Sequence, residues 1–429
     1  MTAAQRLALF AYGLAMRLLV PAMLARYWWR GRKEPGYRLA LAERLGFARP
    51  QAPGAVWLHA VSLGETRAAS ALVDALRAGR PGLRFLFTHG TATGRDAGRA
   101  LMKPGDTQAW LPLDTPGAVR RFLRRTRPAI GLLMETEIWP QLLQAARAVG
   151  VPMVLANARL SEKSARRGAQ LAMLMRPAAQ AVAEVLAQTA DDAERLREAG
   201  AREVVLCGNL KFDVHPSEAL VARGRAWRSA IGRPVVLAAI TREGEEAMLL
   251  AEWARGSGRG PFLVVVPRHP QRFDEVAALL ARSGLRFARR SAWGDAPGDA
   301  DLGVDAWLGD SLGEMPLYYG VADVALLGGS FMPLGGHNLI EAAACGCPVV
   351  MGPSTFNFAE AARQAVLAGA GWQEADMADA VRRALQVVGG DARGIASERA
   401  MAYASTHRGA AARMAGRILA RLDGAPAPT

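Results

Sequence analysis

Short apolar runs alternate with helical patterns along almost the whole chain, and that alternation leaves few folds open. The first half carries "AVWLHAV", "RFLFTH", "AIGLLME", "PMVLANA", "VLAQT" and "EVVLCG". Between several of them lie "ETRAASALVDALRAG", "PGAVRRFLRRTR", "WPQLLQAARAVG" and "DDAERLREAG", with apolar residues at three- and four-residue intervals. A strand buried on both faces reads as a continuous apolar run, which is the mark of a parallel sheet covered by helices. The pattern restarts after "KFDVHPSE" with "PVVLAAI", "FLVVVPR", "LRFAR", "DAWLGD", "VALLGG" and "PVVMG". The expectation is an α/β protein with two Rossmann-like, doubly wound parallel-sheet domains facing a central cleft, a size suited to 429 residues. A final helical pattern, "MAYASTHRGAAARMAGRILARL", could pack on either half.

Composition narrows the setting. Three scattered cysteines, Cys207, Cys345 and Cys347, are too few for a disulfide framework and suit a reducing compartment. The formal net charge of +14 suits nucleic acid, anionic lipid or phosphorylated substrates alike. No RNA-recognition signature, zinc spacing or aromatic-interleaved basic strand accompanies it, which argues against nucleic acid. Arg26, Arg30, Arg32, Lys33, Arg38 and Arg44 instead crowd at and just after the end of the apolar segment "LALFAYGLAMRLLVPAMLARYWW". That segment approaches the ~20 residues that span a bilayer, yet Arg17, Pro21 and Arg26 interrupt it. Two readings stay open: an uncleaved spanning anchor with a positive cytoplasmic flank, or an interfacial helix with Tyr27, Trp28 and Trp29 at headgroup depth.

Candidate chemistry gathers where strands give way to helices, since ligands of open α/β sheets bind at the carboxyl ends of strands. Glu65 follows the first strand in "WLHAVSLGET", with Ser62 and Gly64 shaping the turn; taken alone it reads first as an acid favouring a helix N-terminus. Glu135 and Glu137 follow another strand in "LLMETEIWP", and Asn209 and Lys211 a third in "CGNLKFD". Two carboxylates and a lysine converging at one sheet edge would shift each other's pKa and poise a base. In the second half, "LLGGSFMPLGGHNLIEAAACGCPVVMG" offers Ser330, the pair Gly335 and Gly336, His337, and a helix start at Asn338, Leu339 and Ile340. Backbone N–H groups there suit a phosphate, and Glu341 one turn on suits ribose hydroxyls. "VVVPRHPQRF" presents Arg268 and His269 at another strand end.

With these residues laid out, the chain resembles the Kdo transferases, the 3-deoxy-D-manno-octulosonic acid transferases of lipopolysaccharide assembly. The matching stretches are "GYRLALAERLGF", "WLHAVSLGE", "ETEIWP", "NARLSEKS", "GNLKFD", "REGEE", "PRHPQRF", "GDSLGEM", "ADVALLGGSF" and "GGHNLIEAAACGCPVVMGP", in family order. The resemblance implies a metal-independent, inverting glycosyltransferase of the GT-B fold that needs no cofactor. It would move Kdo from CMP-Kdo to a hydroxyl of the lipid A precursor, a tetraacyldisaccharide 1,4'-bisphosphate, at the cytoplasmic face of the bacterial inner membrane. By the same resemblance Glu65 would be the proton acceptor, and Glu135 and Lys211 transition-state stabilisers. CMP contacts would fall on Arg268, His269, Leu312, Gly313, Glu314, Asn338, Leu339, Ile340 and Glu341.

The expected division is a membrane anchor or interfacial helix over 1–33, an acceptor-binding domain over 34–215 and a donor-binding domain over 216–400. A C-terminal helix over 401–423 and a disordered tail over 424–429 complete it. One departure concerns "ITREGEE", 240–246: where the family commonly has Ser and His, Ile240 and Arg242 stand here. A hydroxyl is lost and a permanent charge gained. A GT-B transferase using another nucleotide sugar, such as a UDP-hexosamine, and a non-catalytic membrane-docked binder of the same fold are the alternatives.

Overall fold

The computed structural model describes residues 1–213, 216–256, 260–390, 392–406 and 408–424. These form two compact units. The first comprises Met1–Asp213 and the chain from Gly409 onward, and the second holds the residues between them.

The first unit is built on seven strands: β1 (Val56–His59), β2 (Phe85–His89), β3 (Thr107–Trp110), β4 (Ile130–Met134), β5 (Met153–Ala158), β6 (Glu184–Ala187) and β7 (Val204–Leu206). They pair in the order β3-β2-β1-β4-β5-β6-β7, every pairing parallel. The chain winds outward from β1 in one direction and from β4 in the other, so the crevice between their carboxyl ends is a topological switch point. Two apolar layers cover the faces: one gathers Trp57, Phe122, Leu143 and Leu155, the other Leu58, Leu72, Phe87 and Met414.

The second unit repeats the plan with β8 (Val235–Thr241), β9 (Phe262–Pro267), β10 (Phe287–Arg289), β11 (Ala306–Leu308), β12 (Val324–Leu327), β13 (Val349–Met351) and β14 (Gly371–Gln373). Their order is β10-β11-β9-β8-β12-β13-β14, again parallel, with the reversal between β8 and β12. The sequence reading found six strands in each half. It missed β3 ("TQAW") and β14 ("GWQ"), both at sheet edges, where a strand is buried on fewer sides and needs no apolar run.

The C-terminal pattern is not one helix over 401–423. Ala392–Thr406 belongs to the second unit and Ala410–Leu422 to the first. Gly409 adopts φ 83°, a left-handed conformation open to glycine. Asp213 accepts from the N–H groups of Gly409 (2.9 Å) and Ala411 (2.6 Å), satisfying donors that a new helix start would otherwise leave bare. Ala411, Met414 and Ile418 then bury in the apolar layer that also holds Leu72 and Leu76. Arg417 and Arg421 bracket the buried carboxylate of Glu184 at the head of β6. Of the tail expected to be disordered, residues 425–429 lie outside the described residues.

The N-terminal apolar segment is a single helix, Ala3–Arg30, opened by a Thr2–Gln5 capping box. It belongs to the first unit rather than standing apart from it. The Tyr12 hydroxyl donates to Asp114 (3.0 Å) and the Gln141 amide donates to the carbonyl of Leu9 (2.7 Å).

Candidate active site

At the first switch point, β1 runs into the helix Leu63–Gly79 through Ser62, the N-cap residue. Ser62 Oγ accepts from the Glu65 N–H (3.3 Å) and donates to Glu65 Oε1 (2.8 Å), while Glu65 Oε2 accepts from the Val61 N–H (2.8 Å). The sequence Ser-Leu-Gly-Glu thus closes a variant of the capping box, with the reciprocal bond made one residue further back. Glu65 caps the turn, and the cap fixes its carboxylate at the carboxyl end of β1. Burial raises its pKa, opposed by the Val61 and Ser62 hydrogen bonds; the negative charge of Glu135 raises it further and the positive charge of Lys211 lowers it.

Across the crevice, β4 ends at Met134 and Glu135 turns at φ 57°, a conformation rare for a non-glycine residue. Its Oε1 lies 3.1 Å from Lys211 Nζ. Lys211 stands on a short 3-10 turn, Leu210–Phe212, held by neighbours: Asn209 Oδ1 accepts from the Lys211 N–H (2.9 Å) and Asn157 Oδ1 from the Leu210 N–H (3.0 Å). Asn209 in turn donates to Gln188 (2.9 Å). Of the residues expected at this edge, Ser62, Glu65, Glu135, Glu137, Asn209 and Lys211 gather there, and Gly64 completes the turn.

Three features of the site escaped sequence reasoning: the state of Glu137 and the part of two buried residues. Burial first, then the charge of Glu65, push Glu137 up to about 7, against a hydrogen bond from Trp139 Nε1 (2.7 Å). Beneath it His59 is completely buried and driven down to about 3, mainly by burial. Its Nδ1 meets Thr88, and its Nε2 faces Glu137 Oε2 at 3.9 Å. Asn157, buried at φ 52°, is the third. A histidine inside an apolar run and an asparagine closing a strand were the available signals.

The second switch point carries the glycine loop. After β12 the chain turns through Gly328 and Gly329, where a β-carbon on Gly328 would meet the Ile240 carbonyl at 2.3 Å. Glu245 holds this loop: its carboxylate accepts from the N–H groups of Arg242 (2.8 Å), Gly329 (2.8 Å) and Phe331 (3.0 Å). Gly335 and Gly336 take positive φ, and the Gly336 N–H donates to the Gly329 carbonyl (2.8 Å). Ser330 is structural: its hydroxyl accepts from the Gly352 N–H (2.8 Å) and donates to the Leu327 carbonyl. Asn338 caps the helix Leu339–Ala344 through the Ile340 N–H (3.0 Å). Leu339 and Ile340 are buried, so only their backbone can serve a ligand. Burial alone raises the pKa of Glu341.

His337 is lowered to about 4 by burial and then by the positive charges of Arg268, Arg242 and His269. Arg268 and His269, expected to meet a phosphate, and the departure Arg242 thus all lie close enough to one imidazole for charge on them to act on it. Leu312, Gly313 and Glu314 follow β11, two strands from β8 on the same carboxyl edge. Leu312 is exposed and Gly313 has φ 78°. Glu314 accepts from Arg223 (2.7 Å) and Arg290 (3.0 Å). Burial acts to raise its pKa, but hydrogen bonds from Ser311 and Arg290 and the charges of both arginines hold it below its ordinary range. Its carboxylate is thus engaged in ion pairs, and the exposed backbone of the loop is what faces outward.

Known proteins resemble this chain in sequence and in fold. A family model described as 3-deoxy-D-manno-octulosonic-acid transferase (kdotransferase) matches residues 40–214. The 3-deoxy-D-manno-octulosonic acid transferase of Bordetella pertussis is 49% identical over 418 residues, covering 94% of this chain and 96% of that one. This chain belongs to the Kdo transferase family. A second family member, the transferase of Haemophilus influenzae, is 35% identical over 83% of this chain and 84% of its own. In fold, the chain is similar to a glycosyltransferase of Rickettsia africae, with TM-score 0.54, 14% identity, and coverage of 86% of this chain and 99% of that one. The two parallel sheets are those of a GT-B glycosyltransferase, and the Kdo transferase family motifs quoted from the sequence lie along strands and at their ends in both, apart from "GYRLALAERLGF", which precedes β1.

Proposed function

We propose that this enzyme is an inverting glycosyltransferase that moves Kdo from CMP-Kdo to a hydroxyl of a lipid A precursor at the cytoplasmic face of the inner membrane. The observation that carries the roles is the meeting of Glu65 with the Glu135–Lys211 pair at one topological switch point.

Glu65 takes the proton of the acceptor hydroxyl as that oxygen attacks the anomeric carbon of Kdo from the face opposite the leaving group. The bond to the CMP phosphate breaks, and CMP departs with the electron pair. Partial burial raises the basicity of Glu65, and general-base catalysis contributes typically ~10²–10⁴-fold. Glu135 and Lys211 supply fixed charges of opposite sign for the charge that develops in the transition state.

On the donor side, Arg268, Arg242 and His269 lie within electrostatic reach of His337 on the glycine loop. Leaving CMP gains negative charge, and cations with exposed N–H groups stabilise it without proton transfer. Arg242 supplies a charge where the family commonly has an imidazole.

The test is a purified-enzyme assay of CMP-Kdo against UDP-sugars with a lipid A precursor, following the glycolipid by mass. A product carrying Kdo, formed from CMP-Kdo alone, is the expected result. No transfer from CMP-Kdo, or faster transfer from a UDP-hexosamine, overturns the proposal.

A further inference from the structure

The helix Ala3–Arg30 is apolar enough to cross a bilayer, with mean hydropathy 1.8 over its most apolar window. Its packing gives it two different faces. Leu9, Tyr12, Met16, Val20 and Tyr27, spaced by three, four or seven residues, are half-buried on one side, with Gly13 fully buried among them. This side is seated on the first unit at both ends. Near its start, Leu9 and Tyr12 bond Gln141 and Asp114, and a β-carbon on Gly13 would stand 2.7 Å from the Gln141 amide. Near its end, Tyr27 stacks on Tyr37 with ring centroids 6.1 Å apart, and the buried Arg44 guanidinium lies 3.7 Å from the Tyr27 ring centroid.

Residues 9 and 27 lie about 27 Å apart along a helix axis at 1.5 Å per residue, close to the ~30 Å thickness of a hydrocarbon core. A helix crossing the bilayer would carry both attachment points into lipid, and with them the domain that holds Asp114 and Arg44. Unpaired burial of such groups in hydrocarbon is costly.

The opposite side carries Leu7, Phe10, Leu14, Leu18, Ala25 and Trp29, all exposed. At about 100° per residue, Arg17 falls on one border between the two sides and Arg26 on the other. At the helix end, Ala25 and Trp29 with Arg26, Arg30, Arg32 and Lys33 line an open groove of about 740 Å³. Glu34, 3.6 Å from Arg30, is the acid that faces this cluster among the described ion pairs. An apolar stripe bordered by cations and ending in tryptophans is the pattern of a helix lying at the headgroup boundary.

We propose that Ala3–Arg30 lies in the plane of an anionic phospholipid surface, its outer stripe in the acyl boundary and its arginines among the headgroup phosphates, and does not cross the bilayer. This deepens the membrane part of the function proposed above, and its test uses neither donor nor acceptor, so the two stand or fall separately.

The full chain is floated with vesicles of phosphatidylcholine alone and of phosphatidylcholine with phosphatidylglycerol. It is expected to bind the anionic vesicles more tightly. Arg17→Gln and Arg26→Gln should each lower that affinity about fivefold, and Leu14→Glu with Leu18→Glu should lower it at least about tenfold. These positions are exposed, and an unchanged melting temperature checks the fold. Thr2→Cys, tested on vesicles to which protein has been added from outside, reports topology, because Cys207, Cys345 and Cys347 are buried. Its thiol should react with a membrane-impermeant maleimide without detergent. Reaction only after detergent, or equal binding to both vesicle types that Leu14→Glu with Leu18→Glu leaves unchanged, overturns the proposal.

Discussion

Lys211 and Glu135 meet at 3.1 Å although they follow strands that are three positions apart in the sheet, β7 and β4. The intervening ends, of β5 and β6, supply Asn157 and Gln188, whose bonds to Leu210 and Asn209 aim the lysine back across the sheet edge. Such a pair acts as a unit, so its losses should not multiply. Glu135→Gln and Lys211→Met are each expected to lower kcat about a hundredfold or more, with the double variant little worse than either. Single-turnover rates of the three variants check this, and multiplied losses would separate the roles.

Glu65→Gln keeps a side-chain oxygen for the Val61 N–H, so the turn should survive while the base is lost. Transfer should slow at least about a hundredfold, with donor affinity and melting temperature close to those of the parent. Near-normal turnover would remove Glu65 from its assigned role.

Glu137 makes stability depend on pH. Its folded pKa of about 7 lies above the ordinary 4.5, so between those values the folded state binds more proton than the unfolded one. Stability from this group therefore falls as pH rises from about 4.5 to 7. Glu137→Gln should stabilise the protein at pH 8, by an amount on the order of 2 kcal/mol, and give no such gain below pH 4.5. Denaturant unfolding at the two pH values measures the difference. An equal effect at both would show that folding does not shift the Glu137 pKa.

Glu245 binds no ligand in the proposed reaction but holds the glycine loop by the Gly329 and Phe331 N–H groups and ties it to the turn after β8 by that of Arg242. Glu245→Gln replaces one of its two accepting oxygens with a donor and leaves at least one buried N–H without its acceptor, a loss of about 1–3 kcal/mol. The expected result is a donor KM raised about tenfold or more with a smaller change in kcat. Steady-state kinetics with varied CMP-Kdo decides it, and an unchanged donor KM would place the loop outside donor binding.

Much of the candidate site was legible because strand ends can be read from where apolar runs stop. Glu65, Glu135, Lys211, Arg268 and His337 all stand just past such stops or just before the helix that follows. Glu314 was legible as a loop residue but not as an ion-paired one, since Arg223 and Arg290 lie far from it in sequence. His59 was hidden within the run that announced β1, because a one-dimensional pattern does not distinguish a core histidine from one facing a carboxylate.

The sequence by itself determined the alternation of strand and helix, hence two parallel sheets, and the order of motifs, hence the family. These are local or cumulative properties, carried by burial periodicity and by residue types at fixed spacing. Tertiary structure alone decided what depends on who stands beside whom. It joined β7 to β4 through Lys211 and Glu135, and it split the C-terminal pattern at Gly409 because Asp213, 196 residues away, caps the new start. It also separated the two apolar faces of Ala3–Arg30. Hydropathy sums those faces into a single spanning signal, whereas packing on Asp114 and Tyr37 assigns one to the protein and leaves the other exposed.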